Sequence, residues 1–322
     1  MTNSSVIKIE NNFKGKDIIS IDQFSSKDLS ILFPIASKMK QLVVSQKPSN
    51  ILAGQVVTLV FYEPSTRTFS SFASAVKRLG GQTIEHQNPL QTSSAVKGET
   101  LEDTMHMFTA YSNAIVVRHP EVGSAQRAAA AASVPVINAG DGPSEHPTQA
   151  LLDLYTLHDR FGNLDRLTGV FAGDMLYGRT VKSLIRGLAL YSRNTFYLLS
   201  PKELRLSRDD YNNFTARGVE LIEIEKEADI PKNAHFWYWT RVQKERFASL
   251  DAYEKVKNKF ILTKQLAKTY ASKNTIFMHP LPRVGEIATE IDDDPRAVYL
   301  TIQAQNGVFV RMALLALVLR KL

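Results

Sequence analysis

A chain of 322 residues, 44% hydrophobic and 22% charged, carries enough apolar material for about two globular domains, which excludes a disordered or fibrous class. Its 39 Lys and Arg against 32 Asp and Glu leave a formal charge of +7, favouring an anionic partner. The basic residues form no dense block, so nucleic acid is the weaker candidate, and the absence of cysteine removes disulfides, thiolate metal sites and cysteine nucleophiles together.

In chain order, the pattern predicts a helix over 26–45, a strand over 56–62 and a helix over 66–79. A helix over 100–111, a strand over 114–117, a helix over 124–132, a strand over 134–137 and a helix over 147–161 follow. The second half reads as strand 168–172, helix 178–191, strands 195–199, 219–224, 234–239 and 275–278, and a last apolar helix over 304–319. Such alternation implies parallel sheets with helices on both faces, an α/β class. The N-terminus lacks an apolar signal core, and the longest apolar candidate, Ala313–Leu319, is too short to span a bilayer. The expectation is a cytoplasmic protein with no membrane partner.

The stretch Val56–Gly81 is the most informative. A buried strand stops at Glu63-Pro64, and Ser65-Thr66-Arg67-Thr68 opens an amphipathic helix. An ordinary N-cap accounts for one hydroxyl, but not for three around an arginine. Unsatisfied helix N–H groups with a guanidinium form an anion site, suited to phosphate or carboxylate.

Other polar clusters also fall at strand ends, where open α/β sheets hold ligands. These are Arg118-His119-Pro120, His146-Pro147-Thr148-Gln149, Gly173-Asp174 with Tyr177–Thr180, Thr240–Gln243 and His279–Arg283. Their placement predicts one crevice shared by the two halves. His146 suits an N–H aimed at a carbonyl oxygen. Arg179 and Arg241, each unremarkable alone, suit two carboxylates together. Asp174 reads as a catalytic carboxylate or as a capping and pairing group. Gln91–Thr100, with Ser93 and Lys97, reads equally as a solvated loop or as a mobile loop closing over an anion. No GxGxxG, GxxxxGK[ST] or GxSxG motif is present, and the 7 histidines show no ligand-type pairing, so no metal or organic cofactor is expected.

These clusters, in this order, resemble the aspartate/ornithine carbamoyltransferase superfamily over nearly the whole chain, and within it the catalytic chains of the aspartate branch. FYEPSTRT, KGETLEDT, VVRHPE, INAGDGPSEHPTQALLDLYTL, GDMLYGRTVKSL, TRVQKERF and HPLPRVGEI carry the likeness. STRT alone indicates only a carbamoyltransferase. The ornithine branch typically has HCLP at 279–282 and lacks the Arg241–Arg246 run.

The resemblance implies two doubly wound parallel-sheet domains linked by helices. Residues 1–148 would bind carbamoyl phosphate, with a C-terminal helix of about 304–322 packing back on them, and residues 149–303 would bind aspartate. Ser65, Thr66, Arg67 and Thr68 would hold the phosphate. Arg118, His146 and Thr68 would face the carbonyl oxygen and Gln149 the carbamoyl nitrogen, with Pro280, Leu281 and Pro282 assisting. Arg67, Thr68, Lys97, Arg118 and His146 would be the catalytic set. Arg179, Arg241, Gln243 and Leu281 would hold aspartate, with Ser93 and Lys97 supplied by the adjacent subunit of a homotrimer. Glu63 would pair with Arg179 and Arg246 on domain closure. A regulatory chain is a possible partner; no cofactor or metal is implied.

Four features depart from the family pattern. Phe69 stands where Arg is common, which points to an altered surface or helix contact. Leu176 stands where Lys is frequent, Gly285 where Asp is usual, and Tyr299–Gln303 is one residue long. Leu176 and Gly285 bear on domain closure and cooperativity rather than on reaction class. The competing readings are a carbamoyltransferase for another amine, such as ornithine, and a catalytically idle binding or assembly homologue.

Overall fold

A computed structural model describes residues 7–89, 97–243, 247, 249–257 and 259–322. The chain divides into two compact units, Met1–Tyr155 with Gln305–Leu322, and Thr156–Ala304.

The first unit is built on a four-stranded parallel sheet of order β2-β1-β3-β4. Its strands are β1 (Val56–Phe61), β2 (Gln82–Gln87), β3 (Ala114–His119) and β4 (Val136–Asp141). β1 and β3 are near-continuous apolar runs because both lie inside the sheet and are covered on both faces. β2 escaped the sequence reading because QTIEHQ is an edge strand with little burial and no apolar alternation. β4 runs beyond the expected Ile137 because Asn138 satisfies its own polarity: its Nδ2 donates to the Ile19 carbonyl at 2.9 Å and its Oδ1 accepts from Gly140 N–H at 2.7 Å.

Helices α1 (Ser26–Val44), α2 (Thr66–Arg78), α3 (Leu101–Tyr111) and α4 (Ser124–Ala131) belong to this unit. It also holds the start of α5 (Pro147–Phe161) and most of α10 (Ile302–Val318). The last helix is buried almost all round, with Val310, Met312, Ala313, Leu314, Leu315 and Ala316 at 0% exposure, as its apolar run requires.

The second unit has a five-stranded parallel sheet of order β7-β6-β5-β8-β9. Here β5 is Thr168–Ala172, β6 Thr195–Leu199, β7 Glu220–Ile224, β8 Phe236–Trp239 and β9 Ile276–Met278. Aromatic residues dominate its interior: Phe171 meets Phe196 and Phe236 edge-on at 5.5 and 5.6 Å, and Trp237 stacks against Phe277 at 5.3 Å. Helices α6 (Arg179–Leu188), α7 (Arg208–Ala216), α8 (Leu250–Glu254) and α9 (Lys264–Tyr270) complete the unit. The sequence reading lacked α7 because RDDYNNFTA buries only Phe214, leaving no apolar stripe to see. It also lacked α8 and α9, which are too short to display a period.

Both sheets are doubly wound. The order in which strands are added reverses between β1 and β3 in the first sheet and between β5 and β8 in the second, all strands remaining parallel. Those two reversal points, at the carboxyl ends of the strands, are where such sheets leave a crevice for ligands. Among the described residues no helix is long and apolar enough to cross a membrane.

Candidate active site

At the first reversal point, β1 runs through Glu63-Pro64 into α2. Ser25, Thr100, Ser207 and Thr263 each cap the helix they precede by accepting its N3 N–H. Ser65 is the N-cap of α2 and makes no such bond. The leading amides of α2 and the Ser65 hydroxyl are therefore not spent on each other, and the positive end of the helix is left to an anion.

Arg67 sits in the first turn of α2 and is exposed. Desolvation, and then repulsion from Arg118, lower its pKa, which places the two guanidiniums in one electrostatic neighbourhood. Arg118 is the penultimate residue of β3 and is 8% exposed. Its Nη1 donates to the Ala139 carbonyl at 3.0 Å and its Nη2 meets Glu63 Oε2 at 2.6 Å. Burial lowers its pKa, and the Glu63 carboxylate pulls the other way. A buried cation held by one carbonyl and one carboxylate is a fixed donor rather than a mobile surface charge.

Thr68 faces His146, with Oγ1 and Nε2 3.3 Å apart, and both are buried. His146 precedes α5, and its Nδ1 lies 3.5 Å from Thr148 Oγ1. One turn on, Gln149 donates from Nε2 to Asp153 Oδ1 at 3.0 Å. Ser65, Thr66, Arg67, Thr68, Arg118, His146 and Gln149 thus gather around the carboxyl ends of β1 and β3 and the start of α5. Lys97 is exposed and precedes the Thr100 cap of α3. Ser93 lies outside the described residues. Phe69 is a core residue, 7% exposed and edge-on to Phe61 at 5.2 Å, so the departure there alters packing beneath the helix rather than its surface.

At the second reversal point, β5 and β8 approach so closely that only glycine fits at 173. A Cβ there would stand 2.2 Å from the Thr240 carbonyl oxygen, and φ is +110°. Asp174 follows, fully buried, accepting from Tyr177 N–H at 2.8 Å and Gln243 N–H at 3.4 Å. Gln243 in turn donates from Nε2 to the Tyr177 carbonyl at 2.8 Å. Asp174 therefore works as the clasp joining the two loops, the capping and pairing alternative of the two considered for it. Burial raises its pKa; the two N–H donors, Lys182 and Arg241 oppose that rise. Arg241 and Arg179, the latter opening α6, are both half-buried beside this clasp. Arg246 lies outside the described residues, and Glu63 is here engaged by Arg118.

The loop after β9 carries Pro280, Leu281 and Pro282, with Leu281 at φ +57° and a cis Leu281–Pro282 bond. Its anchor is a pair that sequence reasoning did not find. His279 Nδ1 accepts from Leu281 N–H at 2.8 Å, while its Nε2 lies 2.7 Å from Glu286 Oε1. An Nδ1 that accepts must lack a proton, so Nε2 carries the N–H that Glu286 receives. Glu286 Oε2 also accepts from Val284 N–H at 2.9 Å. No spacing in the sequence marks this pair, since it depends on the loop doubling back. Gly285 has φ +129° with open space around it, a conformation that a side chain would strain. Among the described residues no group of three or more His, Cys, Asp or Glu is arranged to hold a metal ion.

Two family descriptions match in succession. Residues 16–159 match the carbamoyl-P binding domain of aspartate/ornithine carbamoyltransferase, and residues 165–318 match its Asp/Orn binding domain. The chain is 46% identical over 308 residues to chloroplastic aspartate carbamoyltransferase of Arabidopsis thaliana, covering 95% of this chain and 78% of that one. The catalytic subunit of M. jannaschii aspartate transcarbamoylase superposes with a TM-score of 0.87 at 42% identity, covering 94% of this chain and 97% of that one. The Trypanosoma cruzi aspartate transcarbamoylase, solved with carbamoyl phosphate and aspartate, gives a TM-score of 0.87 at 37% identity, covering 98% and 100%. The chain belongs to the aspartate/ornithine carbamoyltransferase family, and within it stands with the aspartate carbamoyltransferases.

Proposed function

We propose that the chain transfers the carbamoyl group of carbamoyl phosphate to the α-amine of L-aspartate, giving N-carbamoyl-L-aspartate and phosphate in pyrimidine biosynthesis. The observation that carries this reading is the uncapped N-terminus of α2 with Arg67 and Arg118 in one neighbourhood and Thr68 against His146. Ser65, Thr66, Arg67 and Thr68 hold the phosphate, while Arg118, His146 and Thr68 donate to the carbonyl oxygen. Gln149 meets the carbamoyl nitrogen, with the Pro280–Pro282 backbone assisting. Arg179, Arg241, Gln243 and Leu281 hold the aspartate.

As the amine attacks the carbamoyl carbon, negative charge grows on the carbonyl oxygen and on the departing phosphate. Donors already fixed at those two places stabilise that charge without reorganising, an effect worth roughly 10²–10³ in rate per donor. Alignment of amine and carbonyl supplies much of the rest. The α-amine is itself the nucleophile, so no covalent enzyme intermediate is needed.

The working unit in this reading is a cytoplasmic homotrimer in which Ser93 and Lys97 reach the neighbouring subunit's site. Closure engages Glu63 with Arg179 and Arg246, and a regulatory chain is a possible further partner. Purified protein given carbamoyl phosphate and L-aspartate should release phosphate; no turnover above background rejects the reading. A panel of amino acids including ornithine tests the amine, and preference for a cationic substrate would remove Arg179 and Arg241 as carboxylate clamps. A trimer in solution, with activity restored by mixing site-defective Lys97 and Arg118 variants, tests the shared site.

A further inference from the structure

The helix α10 carries one guanidinium in an otherwise apolar setting. Arg311 is 4% exposed, and its neighbours Val310, Met312, Ala313 and Leu314 are at 0%. Space for it is built in. A Cβ on Gly307, one turn earlier, would stand 2.7 Å from Arg311 Nη1. The guanidinium lies over the Phe72 ring at 5.0 Å, and its Nη1 donates to Ser71 Oγ at 2.8 Å. Its Nη2 donates to Thr148 Oγ1 at 3.2 Å. The fully buried Asp153 carboxylate is near enough to attract it. Burial pushes its pKa down to about 10, with Asp153 opposing, so it remains a cation at neutral pH.

The proton inventory gives this placement a consequence. Arginine only donates. The Thr148 hydroxyl, accepting from Arg311, has its single proton to give, and His146 Nδ1 stands 3.5 Å away. An Nδ1 that accepts leaves the proton on Nε2, the nitrogen facing Thr68 at 3.3 Å. On the other branch, a carboxylate only accepts, so Asp153 must take the NH₂ end of the Gln149 amide, as its 3.0 Å bond shows. The Gln149 carbonyl oxygen is thereby turned away from Asp153.

We infer that Arg311 is a positioning residue that sets the hydrogen-bond polarity of His146, making it a donor through Thr148, beside a Gln149 that Asp153 holds as an acceptor. A carbamoyl group presents an acceptor oxygen and a donor NH₂ side by side, and this arrangement opposes them with a matching donor and acceptor. The inference rests on the reading that His146 and Gln149 face carbamoyl phosphate.

The test uses full-length protein carrying ¹⁵N-labelled histidine, with the His146 signals assigned by their loss in His146→Asn. Wild type should show a protonated Nε2 and an unprotonated Nδ1. Thr148→Val removes the relay with little change of volume and should shift the His146 signals toward a mixture of tautomers. Arg311→Met should do the same and lower kcat roughly 10–100-fold, by analogy with loss of the outer hydrogen bonds that orient a metal's histidine ligands. In both variants the KM for L-aspartate should stay within about twofold, since the loss is one of carbamoyl geometry. Arg311→Lys, which keeps the charge but not the fork, should recover only part of the rate.

Wild-type His146 signals in folded Thr148→Val would overturn the proposal. So would Arg311→Met with unchanged kcat and only a lowered melting temperature. His146→Asn and Gln149→Ala report on the underlying reading separately. If neither slows turnover, the roles of those two residues fall and the inference with them. If both do while the Thr148 and Arg311 variants behave as wild type, this inference alone fails.

Discussion

The two reversal points use one topology for different electrostatic tasks. At the first, between β1 and β3, the fold leaves a helix end uncapped and sets two arginines near each other; desolvation and then Arg118 lower the Arg67 pKa, and burial lowers that of Arg118. At the second, between β5 and β8, a buried carboxylate ties the loops together and tempers the surrounding cations. Both points set two arginines against one carboxylate, but Glu63 is spent on the buried Arg118 at the first, whereas Asp174 is spent on backbone N–H groups of two loops at the second. The first therefore fixes a guanidinium itself, and the second fixes the loops that carry the guanidiniums. A doubly wound sheet thus supplies the place, and the loop residues choose the ligand.

The comparison can be broken most directly at Arg118. Arg118→Leu should cost roughly 10²–10³ in kcat, as for loss of a donor to a developing oxyanion, with circular dichroism confirming the fold. Retained activity would mean that the paired cations do not serve the carbonyl oxygen.

Arg241→Gln probes the other point. The KM for L-aspartate should rise about 10–100-fold, the equivalent of one charge-assisted hydrogen bond or a bidentate pair. The KM for carbamoyl phosphate should hold. A comparable rise in both would show that the two points do not divide the substrates between them.

Glu286→Gln should act on stability by about 1–3 kcal/mol, since it weakens a buried hydrogen bond. Burial pushes the Glu286 pKa up, but the hydrogen bonds from His279 and the Val284 N–H together bring it below 4.5. A depressed folded pKa contributes stability that is fully present above the unfolded value and is lost as pH falls through the folded one. Urea unfolding should therefore show the wild-type advantage at neutral pH shrinking below about pH 4.5. An advantage independent of acid would sink the assignment.

The smallest effect belongs to Arg127, which bridges Glu102 and Glu121 at 2.7 and 3.1 Å but is 48% exposed. Arg127→Ala should change stability by about 0–1 kcal/mol in the same assay, because solvent screens such pairs. A larger loss would imply that this surface is covered in the assembled protein.

Much of the site was legible because strand ends and helix starts announce themselves. Ser65–Thr68 follows an apolar run and precedes an amphipathic one, so its position at a helix N-terminus could be read locally. What could not be read was whether Ser65 spends its hydroxyl on its own helix, since Ser25 in the same position does and Ser65 does not. Asp174 was ambiguous for a related reason. Only its bond to Gln243, 69 positions away, makes it a clasp. Arg311 had a signal in the sequence, a single charge inside an apolar helix, but its partners Thr148 and Ser71 lie 163 and 240 positions away.

Apolar periodicity and turn chemistry, both local properties, were enough to establish alternating strands and helices, parallel sheets and polar clusters at the strand ends. Edge strand β2 and helix α7 fell outside that reach because they bury too little to leave a pattern. Which donor meets which acceptor was decided by the tertiary structure alone. A hydrogen bond is set by the distance and direction between atoms brought together through folding, and separation along the chain carries no record of either.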